Sequence, residues 1–73
     1  MTEVQTDIAA NVWQVPARVG DVVSVGDVLV VLESMKMEIP VESPVAGRVT
    51  EVRVEPEDRV EEGDVLLVIE NQS

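Results

Sequence analysis

The feature that most constrains this chain is an internal repeat. Val23-Ser24-Val25-Gly26-Asp27-Val28-Leu29-Val30-Val31-Leu32-Glu33 returns 37 residues later as Val60-Glu61-Glu62-Gly63-Asp64-Val65-Leu66-Leu67-Val68-Ile69-Glu70. Carried backwards without a gap, the same offset lays Asp21 on Asp58, Val15 on Val52, Val12 on Val49, Ile8 on Val45 and Val4 on Val41. Two similar halves, approximately 1-36 and 37-73, therefore make up nearly the whole of this 73-residue chain. A half of this size cannot cover its own apolar face, so the two should pack about an approximate two-fold axis as one domain, 1-73.

The residue types say what the halves are made of. Hydrophobic residues form 45% of the chain, largely valine, with one aromatic residue and with Gly and Pro punctuating short runs. That is an all-β composition, and a flattened β-barrel or sandwich is expected. Each half reads as a strand near Val12-Val15 (Val49-Val54), a tight turn, a short strand ending near Val23-Val25 (Val60), a Gly-Asp turn, and a strand Val28-Glu33 (Val65-Glu70). Gly26-Asp27 and Gly63-Asp64 suit turns because glycine tolerates positive φ and aspartate bonds nearby backbone. A phosphate-cradling loop also uses glycines, but no P-loop pattern or nearby cation accompanies these.

The repeat also locates a site. Val28-Glu33 should turn back through residues 34–37 into Glu38-Val41, whereas Val65-Glu70 should pair with Thr2-Asp7 supplied from across the pseudo-axis. The offset carries Lys36 onto Ser73, the last residue. Lys36 is thus expected on an exposed hairpin tip, at the end of the molecule away from the termini.

Several functions are excluded by what the chain lacks. It has no cysteine, hence no disulfide framework and no thiolate metal site, and no histidine, the usual neutral-pH base and commonest metal ligand. An enzyme using carboxylates alone would need a concave pocket, and a barrel this small fills its interior with side chains. The net charge of −10 argues against nucleic acid; it either simply keeps a small domain soluble and monomeric or steers it to partners with basic surfaces. No apolar run approaches the ~20 residues of a membrane span, and Met1-Thr2-Glu3-Val4 lacks a signal-peptide pattern, so a cytoplasmic protein without membrane association is expected.

Lys36 is the only lysine beside Arg18, Arg48, Arg53 and Arg59. A genome that favours arginine codons would account for the count, but arginine cannot replace lysine as an acylatable amine. Met35 and Met37 flank it. A tip projects beyond the packed layers, so at least one of these methionines should be exposed, forming an adaptable contact surface beside a reactive amine.

At these residues the chain resembles a known family. Glu33-Ser34-Met35-Lys36-Met37-Glu38 is similar to the E-A-M-K-M-E signature of biotinyl domains, and Ser43-Pro44-Val45-Ala46-Gly47-Arg48-Val49 to that family's A-P-x-x-G-x-V stretch. The resemblance spans roughly residues 8 to 70 and is greatest to small free-standing biotin/lipoyl attachment proteins. It implies two four-stranded antiparallel sheets related by a quasi-two-fold axis, with the modified lysine on a hairpin. Three departures stand out: Ser34 replaces the usual alanine, Ala9-Ala10 stands where Pro-Gly is common, and Glu57 stands at the position matching Gly20. The protruding insertion that some carriers place before the hairpin is absent.

The resemblance further implies a non-catalytic carrier, monomeric when free. A biotin protein ligase would join biotin to the Lys36 amine, with Met35 and Met37 as flanking recognition residues and Glu33, Ser34 and Glu38 as weaker hairpin contacts. The tethered biotin would then carry a carboxyl group between biotin carboxylase and carboxyltransferase subunits. Lipoate on the same lysine is the nearer alternative, although lipoyl domains typically place aspartate before the lysine and a small residue after it. An unmodified β-barrel adaptor binding through the Met/Lys hairpin is the other.

Overall fold

The computed structural model describes residues 1–72, which form eight strands. They are β1 (Thr2–Gln5), β2 (Ala10–Gln14), β3 (Val22–Val23), β4 (Val28–Ser34), β5 (Met37–Glu42), β6 (Gly47–Val52), β7 (Arg59–Val60) and β8 (Val65–Asn71). They build two four-stranded antiparallel sheets, ordered β1-β8-β6-β3 and β5-β4-β2-β7. The offset of 37 converts β2, β3 and β4 into β6, β7 and β8, and β1 into the second part of β5. Applied to the order of the first sheet, it returns the order of the second.

The halves are not one sheet each. Every sheet takes two strands from either half, so the halves interlock instead of meeting at one face. The N-terminal strand β1 does pair with β8, through Thr2↔Ile69, Glu3↔Val68 and Val4↔Leu67, as the repeat requires. Ser73, the repeat mate of Lys36, lies outside the described residues.

Between the sheets lies one core of aliphatic side chains, with Leu29, Val30, Leu32, Val49, Leu66, Leu67 and Ile69 fully buried. Its polar members come as a symmetric pair. Thr6 and Ser43, 37 apart, each donate a hydroxyl hydrogen bond to a carbonyl two residues on, that of Ile8 (2.8 Å) or Val45 (2.6 Å). Burial of each hydroxyl is therefore compensated.

Four turns share one construction. Arg18–Asp21, Ser24–Asp27, Glu55–Asp58 and Glu61–Asp64 each end in an aspartate whose carboxylate accepts the N–H of the turn's first residue at 2.8–2.9 Å. The third residue of each has positive φ: Gly20, Gly26 and Gly63 in three, Glu57 at φ 79° in the fourth. Gly47 is needed for a different reason. A Cβ there would collide with the Glu70 carbonyl oxygen and lie 2.8 Å from Ile69 Cγ2. The molecule measures 38 × 17 × 17 Å, and among the described residues no helix is long and apolar enough to cross a membrane.

Candidate functional site

Strands β4 and β5 pair from Val28↔Glu42 to Ser34↔Met37, leaving Met35 and Lys36 as a two-residue loop. Both have positive φ, 51° and 66°. This is the backbone of a type I′ turn, whose twist matches that of the strands it joins. Asparagine and glycine favour such positions, whereas a residue with a longer side chain is strained there by about 1–2 kcal/mol. Within the hairpin this strain falls on the lysine and the methionine before it.

The hairpin end projects Met35, Lys36 and Met37 into solvent. Met35 is 92% exposed and Met37 64% exposed, and Lys36 is exposed between them. Both methionines thus meet the expectation made for at least one. Among the described residues the ion pairs join Arg53 to Glu51 and Arg59 to Glu61, so the Lys36 amine is unpaired. The Arg53 guanidinium is pushed further above its ordinary range, first by its hydrogen bond to Glu51 and then by that carboxylate's charge. That pair joins Glu51, within β6, to Arg53 just beyond it, in the other sheet.

Below the tip, Ser34 is half-buried opposite Met37, and the exposed Glu33 and Glu38 face each other across the hairpin. Like charges opposite one another in a ladder are destabilising. The six residues Glu33 to Glu38 therefore come together as one hairpin end that carries a strained turn and an unfavourable charge pair, neither of which serves the core. An exposed primary amine on a fixed apex is the donor an amide-linked group requires. Among the described residues no three carboxylates are grouped to hold a metal ion.

One neighbour escaped sequence reasoning. Asn11 of β2 pairs with Glu33 of β4, and beside them Trp13, 43% exposed, lines a shallow depression with Asn11, Glu33 and Glu57. The signal was the repeat itself, which sets Trp13 against Thr50 and so breaks down at that position.

The comparisons with known proteins agree with this geometry. A family model for biotin- and lipoyl-bearing domains, described as "Biotin-requiring enzyme", matches residues 1–69. The chain belongs to the biotin/lipoyl domain family. Among curated relatives, the Biotinylated protein TB7.3 homolog of Mycobacterium leprae is 56% identical over 39 residues, 53% of this chain and 55% of the relative. The Biotin/lipoyl attachment protein of Bacillus subtilis is 45% identical over 38 residues, 52% of each. These matches span about half the length of those relatives. Among solved structures, a single-chain, multi-domain long-chain acyl-CoA carboxylase superposes with a TM-score of 0.92 at 36% identity, covering 99% of this chain and 7% of that one. The Kluyveromyces lactis urea carboxylase gives 0.87 at 32%, covering 93% and 6%. The fold is that of a biotin-carrying domain similar to the ones within carboxylases.

Proposed function

We propose that this chain is a biotin carrier, biotinylated on Lys36 by a biotin protein ligase and serving a biotin carboxylase and a carboxyltransferase. The observation that carries this reading is the placement of the only lysine at the apex of a strained two-residue turn, between two exposed methionines. The carboxylase chains that superpose on it support the transfer role. The two-methionine setting and the relatives named as biotinylated proteins favour biotin over lipoate.

Each residue has a part. Lys36 supplies the amine for the amide bond, and its side chain with the attached acyl chain gives a reach of about 12–15 Å from Cα to the ring. Met35 and Met37 present flexible apolar contacts to enzymes that must grasp the same tip in turn. Glu33 and Glu38 offer carboxylates to basic residues of those partners, while Ser34 keeps the strand end narrow. Bound biotin supplies the carboxyl-accepting ureido nitrogen. The barrel contributes tethering and presentation, and it is read as a cytoplasmic monomer that shuttles between partners.

The test is transfer. Purified biotinylated protein, incubated with a biotin carboxylase, ATP and radioactive bicarbonate, should acquire label that an acceptor-specific carboxyltransferase then removes. Biotinylated protein that stays unlabelled under conditions where free biotin is carboxylated would contradict the carrier role.

A further inference from the structure

The pseudo-two-fold is an internal control. Features demanded by the barrel occur twice, as the Thr6/Ser43 hydroxyls and the four aspartate turns do. A feature present only in the sheet that bears Lys36 needs another reason. Trp13 is such a feature.

It sits at a bulge in β2, where the register passes from Val12↔Leu32 to Gln14↔Val31. The matching bulge in β6, between Val49 and Glu51, holds Thr50, whose hydroxyl donates to the Val68 carbonyl at 3.3 Å. The barrel is therefore content with a small residue closed onto its own sheet. At Trp13 the bulge instead leaves the chain's only aromatic ring 43% exposed. Bulges commonly re-aim a side chain beside a functional site.

We infer that Trp13, with Asn11, Glu33 and Glu57, forms a resting platform for the ring of the biotin tethered to Lys36. This rests on the biotin reading above. β4 ends at Ser34, two residues beyond Leu32, the partner of Val12, and Lys36 follows in the two-residue turn on the side of β5, which lies across β4 from β2. That is about 10 Å along the strand and roughly 5–10 Å across, within the reach of a biotinyl-lysine. The depression beside Trp13 holds ≈ 340 Å³, room for roughly ten waters and so for a fused pair of five-membered rings. An indole face suits the apolar side of such a bicycle. The carboxylates of Glu33 and Glu57 on the rim are acceptors for ureido N–H groups, and Asn11 offers an amide for the ureido carbonyl.

Trp13 and Lys36 are each single, so the measurement needs no probe. Wild-type protein and the Lys36→Arg variant are both treated with the N-hydroxysuccinimide ester of biotin, which labels the N-terminal amine of both and Lys36 of the wild type alone. Intact mass counts the labels. Wild type treated with the acetyl ester controls for loss of the lysine charge. Acrylamide quenching of Trp13 fluorescence is then compared in all three and in untreated protein. Biotin on Lys36 should lower the quenching constant at least twofold, with no change in the labelled Lys36→Arg variant or the acetylated protein. An unchanged constant in doubly biotinylated wild type, or an equal fall after acetylation, overturns the platform. Chemical labelling bypasses the ligase, so failure of enzymatic biotinylation would show separately, as an absent mass gain.

Discussion

Glu57 and Gly47 show how single residues answer to the backbone. Glu57 occupies a turn position that three glycines fill elsewhere, at φ 79°. Replacing it with glycine should relieve left-handed strain of about 1–2 kcal/mol and lose part of that to chain entropy. Glu57→Gly is expected to raise stability by about 0.5–1 kcal/mol, or roughly 3–6 °C in Tm. Gly47→Ala should do the reverse, because its Cβ meets the Glu70 backbone carbonyl. A loss of at least about 2 kcal/mol is expected there. Thermal melts of the two variants check both signs; a destabilised Glu57→Gly would mean that the glutamate side chain is held by something other than its turn. Of the departures from the family pattern, Glu57 proves strained, whereas Ala10 is buried in regular pairing with Val60. Sequence comparison marked both but did not tell them apart, since the cost lies in φ.

At the scale of the element, the hairpin does more than expose a lysine. Its two-residue loop gives Met35 and Lys36 left-handed backbones, while Met37 returns to the ladder opposite Ser34. Exchanging the residues, Lys36→Met with Met37→Lys, keeps composition and charge, and stability should change by no more than about 0.5 kcal/mol. The amine, however, moves from the apex to a strand position about 3.3 Å away and points differently. A misplacement of about 1 Å can cost on the order of 100-fold in rate. The exchanged protein should melt as wild type does but be biotinylated at least 100-fold more slowly by the ligase. Ligation at the original rate would show that the ligase reads local composition and not presentation. The hairpin itself was legible from the apolar run ending at Glu33 and the repeat mate ending the chain. The type I′ turn was not, because neither Asn nor Gly marks it. That backbone is imposed by strand register, against local preference.

Across the whole molecule, the repeat carried most of the fold. One offset matched three strands of one half to three of the other and placed Thr2–Gln5 against β8. Beyond that exchange of the outer strand, it left open how the remaining strands pair, because corresponding residues look alike in either arrangement. Interlocking is decided by pairings between distant segments, such as Ala10↔Val60 and Val23↔Gly47, with no local signature. The site was legible along one hairpin and illegible across strands: the six residues Glu33 to Glu38 are contiguous, whereas Trp13 and Glu57 join them only through the folded sheet.

On the reading proposed above, one lysine, held at one apex, carries the biotin. Intact mass after co-expression with a biotin protein ligase is the decisive measurement. Wild-type protein should gain the mass of a single biotinyl group, mapped to the peptide containing Lys36, and Lys36→Arg should gain none. A wild type that stays at its unmodified mass in the presence of an active ligase, or a Lys36→Arg variant that still gains the group, would contradict it.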